Sequence, residues 1–226
     1  MSRRTIVMSD IHGELDLFQK ALTDNEYDVS KDKLIILGDM IDRGNQSFEV
    51  VTYVRELQSK GNVIVLMGNH EDMMVDAQET QDSSLWHYNG GMTTFRSYFG
   101  RKTDWTTHIK WMSKLPLFYE QKFGEKNFYF CHAGVNPHVS FSKQKREDLL
   151  WIREDFYGNN KKLSKTVVFG HSPMRDGFAY LPNGSIGIDG GMYYQGKATC
   201  LTILKNGATI VSVSTKEGFT KFKKRK

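Results

Sequence analysis

The chain has 226 residues, 39% of them hydrophobic and 25% charged, which suits one large domain with its own core and excludes a disordered polyelectrolyte. No apolar run reaches signal-peptide or membrane-spanning length, so we expect a cytoplasmic protein with no membrane partner. The net charge of +5 resides in residues 216–226, where six Lys or Arg accompany one Glu. Residues 1–215 therefore form an electrically balanced single domain, residues 216–226 form a basic C-terminal tail, and a nucleic-acid partner is not expected.

Taken in order, the first half alternates. A strand at about 5–10 precedes a helix with Leu15, Leu17, Phe18, Ala21 and Leu22 on one side. A strand at 33–38 leads to a helix from an N-cap at Ser47 to a stop at Gly61, and a third strand covers 62–67. This βαβαβ pattern implies parallel strands with crossover helices. From Glu71 to Pro116 the aromatics Trp86, Tyr88, Phe95, Tyr98, Phe99, Trp105 and Trp111 are irregularly spaced, which reads as short helices covering one face. A strand at 127–132, a helical piece at 146–155, and strands at 166–171, 177–181, 185–189, 198–204 and 208–214 follow. Asn183-Gly184 and Asn206-Gly207 are type I′ hairpin signals, so the carboxyl half reads as largely antiparallel. The fold class is mixed α/β, with two packed mixed β-sheets flanked by helices. Cys131 and Cys200 fall within strands and read as packed, reduced thiols.

The strand ends carry the chemistry. Leu34-Ile35-Ile36-Leu37 runs into Gly38-Asp39-Met40-Ile41-Asp42-Arg43-Gly44, two carboxylates and a guanidinium within five residues. Four other apolar runs end in Asp10-Ile11-His12-Gly13, Gly68-Asn69-His70-Glu71, His132-Ala133-Gly134 and Gly170-His171-Ser172. Charges at the end of a buried strand need a partner or a metal, and loops past the carboxyl ends of strands are where open α/β sheets bind ligands. Asp10, His12, Asp39, Asn69, His132 and His171 are oxygen and imidazole donors without thiolate, a set that suits Mn²⁺, Fe or Zn²⁺. Six ligands exceed one tetrahedral site; two divalent ions about 3.5–4 Å apart, sharing a carboxylate, would use them all. Such a pair acidifies water and removes the need for a nucleophilic side chain.

Singly these residues have plainer readings: a histidine packed in a strand, Asp10 as a helix cap, Asn69 in a turn. Jointly they do not. Four of the seven histidines occupy motif positions, while His87, His108 and His138 read as surface or packing residues. Asp189, in Gly187-Ile188-Asp189-Gly190-Gly191, is either a neighbour of the site or a turn residue.

The motif set resembles the phosphoprotein phosphatase family of calcineurin-like metallophosphoesterases, in its compact bacterial and phage branch, with matching order and spacing across residues 5–190. Ser9 stands where that family usually has Gly. The resemblance implies an αββα sandwich in which Asp10 and His12 hold the first metal, Asp39 bridges, and Asn69, His132 and His171 hold the second. It also implies His70 as general acid oriented by Asp42, with Arg43 and Arg153 on the phosphoryl oxygens, Arg153 within a helix.

The expected activity is hydrolysis of phosphomonoesters on protein Ser or Thr with Mn²⁺ as the metal. The near alternative is a diadenosine tetraphosphate hydrolase using the same site, because the metal cluster leaves the choice of leaving group to surrounding loops. A more remote alternative is a non-catalytic polyanion-binding module. The substrate partner is accordingly a phosphoprotein or a phosphorylated small molecule.

Overall fold

The computed structural model describes residues 3–222. In chain order the elements are β1 (Thr5–Met8), α1 (Leu15–Asp24), β2 (Lys33–Ile36), α2 (Ser47–Lys60), β3 (Asn62–Val65), α3 (Asn69–Thr80), α4 (Ser84–Tyr88), α5 (Gly91–Ser97) and α6 (Lys102–Met112). Then come β4 (Phe118–Phe123), β5 (Lys126–Cys131), α7 (Arg146–Trp151), α8 (Glu154–Tyr157), β6 (Thr166–Phe169), β7 (Ala179–Tyr180), β8 (Ile186–Gly187), α9 (Met192–Gln195), β9 (Ala198–Ile203), β10 (Thr209–Ser214) and β11 (Phe219–Lys221). A six-stranded sheet runs β11-β10-β9-β1-β2-β3 and a five-stranded sheet runs β4-β5-β6-β8-β7. Both are mixed: β1-β2-β3 and β5-β6-β8 pair in parallel, the remaining neighbours antiparallel.

Strand periodicity sorts the side chains into layers, because alternate residues face opposite sides. Val7, Ile35, Phe128, Phe130, Val168 and Leu201 fill the space between the sheets. Their neighbours Ile6, Met8, Leu34 and Ile36 pack under α1 and α2 with Phe18, Ala21, Val50 and Val54. Tyr129, Cys131, Val167 and Phe169 face outward onto Leu149 and Phe156 of α7 and α8. Two sheets with helices on both outer faces is the sandwich expected. Cys131 and Cys200 are buried free thiols, with burial raising the Cys200 pKa to about 12. Among the described residues, no helix is long and apolar enough to cross a membrane.

Several boundaries and contacts differ from the sequence reading. The first two strands end two residues early, because Asp10 (φ 53°), Gly38 (φ 99°) and Asp39 (φ 54°) leave the β region. Ser47 is the first residue of α2 rather than its cap, which is Gln46, and its hydroxyl faces the Asp42 amide instead. Gly61 does close α2, its N–H reaching Leu57 O. Both Asn-Gly turns make hairpins, but only Gly184 (φ 93°) and Gly207 (φ 77°) have positive φ. They are three-residue connections, with Gly184 N donating to Leu181 O and Gly207 N to Leu204 O, not the type I′ pairs expected. The carboxyl half is less antiparallel than expected, since β5, β6 and β8 run parallel. The β4–β5 hairpin has no counterpart in the sequence reading. Part of the expected tail belongs to the sheet: β11 pairs with β10, and the Phe222 ring lies 4.7 Å from that of Phe178. Residues 223–226 of that tail lie outside the described residues.

Candidate metal centre and acid dyad

Six site residues share an unusual backbone. Asp10, His12, Asp39, Asp42, Arg43 and His171 all have positive φ, and only Glu26 and Gln81 join them among the described non-glycine residues. L-residues avoid this region at a cost of about 1–2 kcal/mol each, so the clustering marks backbone strain concentrated where chemistry is placed. The loops after β1, β2 and β6 turn sharply because the chain must leave each sheet while aiming its polar side chains back across the strand ends. Gly38 makes one crossing possible: a Cβ there would sit 2.4 Å from Gly68 N.

The histidines are oriented by backbone carbonyls. His12 Nδ1 donates to Ile41 O at 2.8 Å and His132 Nδ1 donates to Leu37 O at 2.9 Å, which turns both Nε2 lone pairs inward. Asp39 Oδ2 lies 3.6 Å from His12 Nε2, 3.8 Å from His70 Nε2 and 3.4 Å from His132 Nε2. Two donor groups result, His12–Asp39–His70 and Asp39–His132–His171, each with its donor atoms within 4.8 Å and both sharing Asp39. Asn69 Oδ1 joins the second, 2.8 Å from His132 Nε2. The buried His171 Nε2 has no hydrogen-bond partner among the described residues.

The electrostatics favour a cation. Burial, then the carboxylates of Asp10 and Glu71, push the Asp39 pKa well above its ordinary value. Burial likewise pushes the pKa of His12, His132 and His171 down, keeping the imidazoles neutral with a lone pair to offer. Crowded carboxylates, neutral imidazoles and an orphaned buried nitrogen fit a pair of divalent ions. The geometry departs from the sequence reading at one point. The first donor group contains His70, whereas the Asp10 carboxylate accepts the His171 N–H at 3.1 and 3.0 Å and the Ser9 hydroxyl.

His70 and Asp42 form a buried pair, with Nδ1 2.7 Å from Asp42 Oδ2. Burial, then the Arg43 guanidinium, push the His70 pKa down; the Asp42 carboxylate holds a proton on Nδ1 and leaves Nε2 facing Asp39. Burial also raises the Asp42 pKa to about 7, against the Thr94 and Trp86 hydrogen bonds that lower it. Glu71, to which the sequence reading gave no role, braces the bridging position. Its carboxylate accepts Asp39 N (2.8 Å), Met40 N (2.7 Å) and Gly68 N (3.0 Å). Its place three residues into a helix after Gly68 is a capping position, a signal the sequence carried.

The two arginines stand on different sides. Arg43 directs Nη1 to within 2.5 Å of His12 Nε2 and Nη2 to within 3.0 Å of His70 Nε2, and its Cζ lies 5.2 Å from the exposed Tyr194 ring. Arg153 is not inside a helix but caps α8, where Nη1 donates to His171 O (3.0 Å) and Ser172 Oγ (3.2 Å). Asp189 is buried in a turn, its Oδ1 accepting Gly191 N at 2.8 Å, and burial and then the Asp10 carboxylate raise its pKa. His108 is buried beneath the Tyr98 hydroxyl at 2.8 Å, and the His87 ring lies 5.3 Å from that of Trp86, tilted by 36°.

The family model described as calcineurin-like phosphoesterase matches residues 3–212. Serine/threonine-protein phosphatase 1 of Salmonella typhimurium is 30% identical over 178 residues, 76% of this chain and 80% of that protein. The symmetrical bis(5'-nucleosyl)-tetraphosphatase of Psychromonas ingrahamii is 25% identical over 174 residues, 74% of this chain but 57% of that protein. Among solved structures, the cold-active protein-tyrosine phosphatase of a psychrophilic Shewanella superposes with a TM-score of 0.64 at 14% identity, covering 99% of this chain and 81% of that one. At that identity the likeness speaks for the fold.

Proposed function

The chain belongs to the calcineurin-like phosphoesterase family, and from that premise we propose that it is a dimetal protein serine/threonine phosphatase. The observation that carries the reading is the shared Asp39, flanked by two donor groups, with the His70–Asp42 pair and Arg43 beside it. Asp10, His12 and Asp39 would hold one ion and Asp39, Asn69, His132 and His171 the other, with Mn²⁺ the expected metal. When bound, the ions supply Lewis-acid activation of water and of the phosphoryl group.

The protein's own side chains do the rest. Arg43 and Arg153 hold phosphoryl oxygens, to which the guanidinium fork is matched. Once protonated on both nitrogens beside the Asp42 carboxylate, His70 gives its Nε2 proton to the leaving oxygen as the P–O bond breaks. The attacking water bonds to phosphorus in line and releases its own proton to solvent, from which His70 regains one. Asp42 keeps the imidazole oriented and compensates its charge.

One observation favours a phosphoprotein over a dinucleoside tetraphosphate. Beside Trp151, whose ring centre is 6.0 Å from that of His171, a cavity of about 680 Å³ is lined by Glu147, Asp148, Glu154 and Asp155. These carboxylates repel a chain of four phosphates and admit neutral or basic peptide side chains. A side-by-side assay of a phosphoserine peptide and diadenosine tetraphosphate with Mn²⁺ tests the choice. Preference for the dinucleotide in kcat/KM overturns it.

A further inference from the structure

The Asp42 carboxylate is fully buried, and besides His70 the groups that satisfy its oxygens come from outside every motif. Trp86 Nε1, on α4, donates to Asp42 Oδ1 and Oδ2 at 3.0 and 2.9 Å. Thr94 Oγ1, on α5, donates to Oδ1 at 2.6 Å. Thr94 Oγ1 and Ser47 Oγ also face the Asp42 backbone N–H, at 2.8 and 3.1 Å. Both the side chain and the left-handed backbone of Asp42, at φ 70°, are thus gripped by the same hydroxyl. The turn between the two helices completes the hold: Gly90 O accepts Arg43 N, and a Cβ on Gly91 would fall 2.4 Å from the Trp86 indole.

Two donors arriving from one side fix the plane of a carboxylate. The free direction of Oδ2 then points at His70 Nδ1, 2.7 Å away, and the ring angle follows. We propose that Trp86 and Thr94 are positioning residues of the acid dyad, setting through Asp42 the direction in which His70 Nε2 faces the leaving oxygen. The inference rests on the reading of His70 as general acid. Proton donation falls off steeply with misalignment, so a carboxylate free to rotate weakens transfer while leaving substrate binding intact.

The test uses the full chain reconstituted with Mn²⁺, a phosphoserine peptide with a poor leaving group, and 4-nitrophenyl phosphate with a good one. Trp86→Phe and Thr94→Val each remove one donor while nearly keeping shape, and each is expected to lower kcat on the peptide about tenfold with KM little changed. On the aryl ester the loss should be under about threefold, because a good leaving group needs little protonation. Thr94→Ser, which keeps the hydroxyl, should recover most of kcat, and neither Trp86→Phe nor Thr94→Val should cost more on a His70→Asn background. Equal losses on both substrates, or a further loss without His70, would overturn the proposal. If His70→Asn is leaving-group selective and the two donor variants are not, the positioning role fails alone. If His70→Asn is itself unselective, the general-acid reading fails and takes the inference with it.

Discussion

The loops after β1, β2 and β6 and the cap formed by α4 to α6, whose α4 and α5 reach the β2 loop at Asp42, obey opposite rules. The loops hold six buried or half-buried non-glycine residues at positive φ, while the cap holds none and turns its bends on Gly90 and Gly100. The site residues of the loops are buried or half-buried, whereas the cap presents Leu85, Tyr88, Phe95 and Phe99 to solvent. On the proposed reading each of these loop residues other than Asp42 meets metal or substrate itself, and its strained backbone is held by the packed strands on either side. The cap works through two inward-facing donors, so its outer face is under little constraint from the reaction.

The largest effect should come from the shared carboxylate. Asp39→Asn removes the charge common to both donor groups, and elemental analysis after Mn²⁺ reconstitution should show the loss of both ions. Activity should fall by more than the effect at His70; one retained ion would break the bridged reading. His70→Asn should lower turnover of the phosphoserine peptide about 10²- to 10⁴-fold with two ions still bound. Loss of an ion would instead make His70 a ligand, as its place in the first donor group allows.

Stability should divide the same regions differently. Ile35→Ala, in the fully buried layer between the sheets, should cost about 2–5 kcal/mol by urea denaturation. Phe99→Ala, at 84% exposure on the cap, should change it by no more than about 0.5 kcal/mol.

His108 joins the cap's interior to pH. Burial lowers its pKa from 6.5 to about 4, so between those values the unfolded chain binds the proton more tightly. Its contribution is intact above the unfolded pKa and is lost as pH falls toward 4, by about 1–2 kcal/mol. Urea midpoints should therefore fall less between pH 7 and pH 5 in His108→Gln than in the parent protein; a parallel fall would show that other groups carry the dependence. A change of opposite sign is expected at the exposed αL cap of α3. Gln81 has φ 62° and ψ 16°, and Gln81→Gly should raise stability by up to about 1 kcal/mol, read as a shift in urea midpoint with an unchanged slope.

The sequence by itself determined the five strand ends, the alternation that sorts Val7 and Ile35 from Ile6 and Leu34, and the polar residues that converge on Asp39. Strand period and the clustering of Asp, His and Asn at strand ends are short-range signals, readable within a dozen residues. The tertiary structure alone decided that β6 and β8 run parallel, that β11 extends the sheet past residue 215, and that Arg153 caps a helix beneath His171. It alone brought Trp86 and Thr94 onto Asp42, from 44 and 52 residues away. Their side chains carry no charge and their helices no distinctive spacing. A neutral donor becomes part of a site only when folding buries a carboxylate within reach of it, and nothing local in the chain records that event.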